Sequence, residues 1–224
     1  MQQHLLIDGD DPLWENNIYF KRAIEAFIDF LAHSSLKPPE VRAVLDEIEM
    51  TMGYGSENFA KSLQETYRQL AERDVREEDL ERVRSFGEQI MHHPMQVMEG
   101  VEETLAYLSP RHRLILLTKG NQDEQRIKID NSGLAVYFEH TIVVAEKDSA
   151  TYNQLIQELE LDVPQTWMVG NSPRSDINPA CKVGLNAVFI PHRHTWHLEK
   201  QDIVADGLGK LLQLESFAEL QNHF

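Results

Sequence analysis

Short, unbroken apolar runs recur along this chain, each followed by polar residues. Leu5-Leu6-Ile7, Leu114-Ile115-Leu116-Leu117, Thr141-Ile142-Val143-Val144, Trp167-Met168-Val169 and Ala187-Val188-Phe189-Ile190 are nearly all apolar, which predicts strands covered on both faces. Between the first run and the second the period becomes helical. Phe20, Ile24, Phe27, Ile28 and Leu31 fall on one face of a helix over 19–31, with Lys21, Arg22, Glu25 and Asp29 opposite. Lys37-Pro38-Pro39 ends it, and a second helix runs from Val41 to Met50. Gly53-Tyr54-Gly55 makes a turn, Ser56 N-caps a third helix through Leu70, and a fourth covers Glu78–Met91. About 75 residues before Pro94 are thus helical. Beyond Gly100, helices over Val101–Leu108, Gln122–Ser132, Thr151–Leu159 and Ile177–Val183 alternate with the remaining strands. The expected fold is α/β: a Rossmann-like parallel sheet with helices on both faces, and a helical domain inserted after the first strand.

Composition narrows the partners. The 224 residues hold 21 Lys+Arg against 37 Asp+Glu, a formal charge of −16. Phosphodiester backbones and anionic membrane surfaces are bound by Lys and Arg, so neither nucleic acid nor a membrane is an expected partner. No apolar stretch approaches the roughly 20 residues of a membrane span, and residues 1–4 lack a basic leader. The single cysteine, Cys181, excludes an internal disulfide, fits a reducing compartment and reads as a small core residue. The expectation is a soluble, cytoplasmic protein. The sequence specifies no oligomeric state.

Ligands of open parallel sheets bind at the carboxyl ends of the strands. Those ends here deliver Asp8-Gly9-Asp10-Asp11-Pro12, then Thr118-Lys119-Gly120-Asn121, then Glu146-Lys147-Asp148, then Gly170-Asn171-Ser172-Pro173-Arg174-Ser175-Asp176. Carboxylates, a hydroxyl, lysines and an amide converging on one edge suit metal-assisted phosphoryl transfer. Hard oxygens of Asp8, Asn171 and Asp176 suit Mg²⁺. One carboxylate can attack phosphorus while another supplies a proton, and Thr118 and Lys147 can hold phosphoryl oxygens.

These four segments, in this order and each at a strand end, resemble the motifs of the haloacid dehalogenase-like hydrolase superfamily, over Leu5 to Ile190. The resemblance implies a core of residues 1–15 and 94–224 and a helical cap domain of residues 16–93. It implies that Asp8 is the nucleophile, and that Asp10 is the general acid/base and lends its backbone carbonyl to the metal. Thr118, Lys119 and Lys147 would bind the substrate's phosphoryl group. Asn171 and Asp176 would complete a Mg²⁺ site with Asp8 and Asp10, directly or through water. The activity implied is that of a phosphoric monoester hydrolase acting on a small phosphorylated metabolite. Two positions depart from the pattern: Pro12 stands where the family has threonine, and Asn171 where an acid is usual.

Two other functions remain open at this stage. Asp8 can displace halide from a 2-haloacid, but that chemistry needs no second acid such as Asp10. A phospho-ligand-binding protein with weakened turnover would account for Pro12 and Asn171. Other features read more plainly. His192-Arg193-His194 with His197 is expected as a loop near the site's rim, and His92-His93 as hinge or surface. Lys147 also fits a helix-start charge cluster, and Asp176 a helix-dipole acid. Gly207-Leu208-Gly209-Lys210 lacks the spacing of a phosphate-binding loop. Tyr54, Ser56 and Asn58, with Trp14, Glu15 and Asn16, are candidates for choosing the substrate.

Overall fold

The structure is a computed structural model that describes residues 2–204 and 209–224; Gly207 and Leu208 of the discarded glycine motif lie outside the described residues. The chain divides into two compact units, residues 1–17 with 95–224, and residues 18–94.

The first unit is built on a six-stranded, all-parallel sheet of order β3-β2-β1-β4-β5-β6. The strands are β1 (His4–Ile7), β2 (Arg113–Lys119), β3 (His140–Val144), β4 (Thr166–Gly170), β5 (Asn186–Phe189) and β6 (Leu211–Gln213). Alternate residues of a strand face opposite sides, and the buried clusters follow that rule. Leu5, Ile7, Leu114, Leu116, Trp167, Val169 and Val188 pack on one side with Val101, Leu105 and Leu108 of α5 (Val101–Leu108), Ile129 of α6 (Gln122–Ser132), and Phe217 and Leu220. Leu6, Ile115, Leu117 and Met168 pack on the other with Tyr152 and Leu155 of α7 (Ser149–Glu158) and Ala180 of α8 (Asn178–Lys182). Helices therefore cover both faces. The order turns outward in opposite directions from the β1/β4 pair, so their carboxyl ends form the crevice where doubly wound sheets bind ligands.

The second unit holds the remainder of α1 (Asn17–Leu31), then α2 (Pro38–Met52), α3 (Ser56–Leu70) and α4 (Glu77–Glu88). Their apolar stripes meet in one cluster around Phe27, Leu45, Phe59, Leu63, Tyr67 and Val83. Pro38 and Pro39 open α2, where a missing backbone N–H costs nothing, and Glu40 accepts from the Lys37 amide.

Several expectations shift. Gly55, not Ser56, is the N-cap of α3, and Ser56 is its first, buried residue. The helix expected over 78–91 ends at Glu88 and continues as a 3-10 turn to His92. The helix expected over 177–183 is a π-helical turn, Pro173–Ile177, followed by α8. Cys181 is buried, as expected. Among the described residues no helix is long and apolar enough to cross a membrane.

Candidate active site

Asp8 continues β1 past its last residue, its amide donating to the Val169 carbonyl at 2.9 Å. Lys147, in the turn before α7, reaches it from the next segment. Its Nζ donates to Asp8 Oδ1 at 2.6 Å and to Asp176 Oδ1 at 2.8 Å, with the lysine side chain 1% exposed. Asp176 lies in the π-helical turn after β4 and accepts the Ser172 amide on its other oxygen. Gly170 makes this possible, because a Cβ there would stand 2.2 Å from Asp176 Oδ2. One ammonium thus serves two buried carboxylates, and Asp10 adds a third negative charge nearby. Burial pushes the Asp8 carboxyl up to about 8; Lys147 opposes that rise, while Asp176 and Asp10 add to it. Burial disfavours the Lys147 charge too, but Asp176 and Asp8 more than offset it and hold the ammonium above its ordinary range. Of these groups it is therefore Asp8 that is driven toward its protonated, neutral form.

Asp10 sits in a different shell of contacts. Its Oδ1 accepts from the Trp14 indole at 2.7 Å and from Lys128 Nζ at 3.0 Å. Its Oδ2 accepts from Gln125 Nε2 and Lys128 Nζ, both at 2.9 Å. Burial disfavours its charge, but Lys128, then Gln125 and Trp14, outweigh burial and hold the carboxyl below its usual range. Thr118, at the carboxyl end of β2, donates to Gln125 Oε1 at 3.2 Å. Gln125 so links the expected phosphoryl-binding hydroxyl to the expected acid/base. Gly9 is required between Asp8 and Asp10, since a Cβ would meet the Trp14 ring at 2.5 Å.

Asp11 holds the loop. Its backbone is left-handed (φ 76°), and its buried carboxylate accepts the amides of Asn16 and Asn17 and the Asn17 side chain. The Asp11 and Leu13 amides donate to the Trp14 and Gly9 carbonyls. These bonds fix the turn that a threonine hydroxyl fixes elsewhere, so Pro12 leaves it intact. Asn171 donates to Asp11 Oδ2 at 3.3 Å and to Thr195 Oγ1 at 3.1 Å. An acid at position 171 would instead oppose Asp11 with no proton between them, which is a physical reason for the amide. His192 lies 3.3 Å from Asp11 and 3.8 Å from Glu15. Burial lowers the His192 imidazole, but Asp11 and then Glu15 overcome that and raise it above its ordinary value. Ligand atoms of Asp11, Glu15 and His192 lie within 4.8 Å of one another, a spacing compatible with a metal. Asp11, however, is already surrounded by amide donors.

Lys119 has partners of its own. Its Nζ donates to Glu199 at 2.7 Å, Ser175 at 2.8 Å and Glu146 at 3.2 Å, which engages all three of an ammonium's donors. Glu199 also accepts from Ser172 and Ser175. This network ties the 192–199 segment to the turn that carries Asp176. The structure therefore gathers Asp8, Lys147 and Asp176 directly, and joins Asp10 to Thr118 through Gln125. Asn171 is joined to Asp11, and Lys119 is engaged elsewhere. Trp14 is fully buried, and its indole donates to Asp10. His93 is exposed and stacks on Tyr19 at 4.4 Å.

The sequence reading missed Gln125, Lys128 and Glu199. Gln125 and Lys128 are three apart on α6, directly after the Thr118 segment, and that spacing puts both on one helix face. The spacing was visible, but the direction of the face was not.

The donor set fits a divalent cation. Two buried carboxylates, Asp8 and Asp176, share one ammonium, the Asp8 carboxyl is pushed far above its ordinary range, and oxygen donors predominate around it, as Mg²⁺ prefers.

A doubly wound parallel sheet, interrupted after its first strand by a helical unit and carrying an acidic, lysine-braced site at its carboxyl edge, defines the class of protein. The chain belongs to the haloacid dehalogenase-like hydrolase family, whose model matches residues 38–190. That match begins in α2, so Asp8 and Asp10 lie ahead of it. Comparison with curated proteins gives no match. Among solved structures, a haloacid dehalogenase-like family hydrolase from Xanthomonas campestris is 29% identical with a TM-score of 0.83, over 99% of this chain and 94% of that one. A 2-haloacid dehalogenase from Pseudomonas syringae is 21% identical with a TM-score of 0.61, over 99% and 97%. A predicted phosphoglycolate phosphatase from Haemophilus somnus is 16% identical with a TM-score of 0.64, over 99% and 97%. The last two are alike in fold alone.

Proposed function

We propose that this chain is a Mg²⁺-dependent phosphatase that hydrolyses a small phosphorylated metabolite through an aspartyl-phosphate on Asp8. The observation that carries the reading is the pair of buried carboxylates, Asp8 and Asp176, on the single ammonium of Lys147, with Asp10, itself paired to Lys128, adding to the rise at Asp8. A divalent cation completes that set, and displacing halide requires none. The residues that would hold the ion are Asp8, the backbone carbonyl of Asp10 and the Asn171 side-chain carbonyl, with Asp176 acting through water because both its oxygens are engaged. The ion would offset charge on the phosphoryl oxygens.

In the first step an Asp8 oxygen bonds to phosphorus as the ester P–O bond breaks, and the leaving oxygen takes, through Asp10, the proton that a monoanionic phosphoryl group brings, since Asp10 itself is held ionised. In the second, Asp10 takes a proton from water as that water bonds to phosphorus, releasing phosphate and restoring the Asp8 carboxylate. Lys147 orients Asp8 and shares its charge, and Thr118 turns its hydroxyl proton from Gln125 to a phosphoryl oxygen when substrate binds. Residues 16–93 are proposed as the cap domain that chooses the substrate, and residues 1–15 with 94–224 as the catalytic core.

One observation favours a second reading, 2-haloacid dehalogenation. Asp10 accepts four hydrogen bonds and is held ionised, and a departing halide needs no proton. Among phosphate compounds the same feature favours leaving groups that depart without a full proton, such as acyl or aryl phosphates.

The test is phosphate release from a panel of phosphorylated metabolites with and without Mg²⁺, for the wild type and Asp8→Asn. Mg²⁺-dependent release abolished by Asp8→Asn is expected. A folded wild type that releases no phosphate from any substrate overturns the phosphatase reading. Heavy-oxygen water separates the alternatives: its oxygen enters phosphate in the phosphatase and the Asp8 carboxylate in the dehalogenase.

A further inference from the structure

We infer that Lys128 is a positioning residue for the Asp10 carboxylate, and that with Gln125 it locks Asp10 and Thr118 into one unit carried by α6. The inference rests on the role given to Asp10 in the proposed function. Lys128 is separated from Asp10 by more than a hundred residues of sequence, yet its Nζ lies 3.0 and 2.9 Å from the two Asp10 oxygens and 2.7 Å from Asn16 Oδ1. Three acceptors meet the three donors of the ammonium. Its side chain is 12% exposed and that of Asp10 20%, so water competes little for the pair.

A plain structural brace is the competing account, and the backbone argues against it. The loop that carries Asp10 is already closed by the Asp11, Leu13 and Trp14 amides donating to the Trp14 and Gly9 carbonyls, and by Asp11 accepting the Asn16 and Asn17 amides. What these bonds leave undetermined is the plane of the Asp10 carboxylate. Trp14 fixes one oxygen and Gln125 the other, and Lys128 alone touches both. Gln125 uses its remaining oxygen on Thr118. The Asp10 carboxylate is thereby tied, before substrate binds, to the hydroxyl proposed for the phosphoryl group. A misaligned acid/base loses much of a contribution worth about 10²–10⁴ in rate, and binding of the ground state is left largely alone.

The test compares the wild type, Lys128→Met and Lys128→Arg by steady-state kinetics and by the indole ¹⁵N–¹H spectrum, with Trp167→Phe and Trp196→Phe used to assign the Trp14 signal. Lys128→Met should lower kcat by roughly 10- to 100-fold with KM changed less than about threefold, and should move the Trp14 resonance but not those of Trp167 and Trp196. Lys128→Arg, whose fork also spans a carboxylate, should recover most of kcat and of the Trp14 position. An unchanged Trp14 signal in Lys128→Met overturns the inference, as does an unchanged kcat in an active enzyme. A wild type without phosphatase turnover defeats the proposed function instead, and the indole spectrum still decides whether Lys128 positions Asp10.

Discussion

Asp8 cannot be buried beside Asp176, share one ammonium with it, and keep an ordinary acidity. Because its carboxyl is pushed up to about 8, it carries a proton at neutral pH that a metal ion must displace. Mg²⁺ affinity should therefore rise with pH, by up to roughly tenfold per unit below that value, with close to one proton released per ion bound. Titration calorimetry in buffers of differing ionisation enthalpy measures both. Affinity that is flat with pH and without proton release would contradict the charge account. This residue-scale picture was only partly legible in the sequence. Asp8, Lys147 and Asp176 stand at strand ends, so the parallel-sheet rule was enough to bring them together. Lys119 is also held by Glu199 from eighty positions away, and no local pattern announces that partner. Asn171 stands where an acid is usual, and its partner Asp11 lies 160 positions away in sequence.

At the scale of elements, the apolar runs marked every strand but one. Leu211-Leu212-Gln213 of β6 is three residues long and forms the sheet's edge, and its two leucines are too short a run to mark a strand. The π-helical turn at 173–177 was equally hidden, because it is set by Ser172 and Asp176 contacts rather than by periodicity. Helix α2 offers a test of its own. Arg42, Asp46 and Glu49 form one stripe along it, with Arg42 paired to both acids. Burial pushes Glu49 up to about 7; Arg42 opposes this and Asp46 adds to it. A carboxyl raised above its unfolded value favours the folded state while protonated. That contribution is complete below the unfolded value of about 4.5 and is lost as pH rises through about 7. Glu49→Gln should leave stability near that of wild type at pH about 5 and raise it by roughly 1–3 kcal/mol at pH about 8. Urea melts at the two pH values check this, and equal effects at both would show that Glu49 ionises normally.

For the whole molecule, a formal charge of −16 first weighs against any anionic ligand. The distribution matters more than the sum. The acids at the carboxyl edge are each committed: Asp8 and Asp176 to Lys147, Asp10 to Lys128, Asp11 to backbone amides and Asn171, Glu199 to Lys119. Most of the other acids keep the surface soluble and well hydrated. The sheet order places Asp8 and Asp176 on the adjacent strand ends where the winding reverses, and α6 brings Gln125 and Lys128 to Asp10. The central claim is that this arrangement makes Asp8 accept a phosphoryl group. Its most direct test is acid quench of the wild type a few milliseconds after mixing with Mg²⁺ and acyl phosphate, followed by peptide mass analysis. A phosphoryl group on the peptide bearing Asp8, absent in Asp8→Asn, is the result expected; folded enzyme that consumes the acyl phosphate with no modification at Asp8 would contradict it.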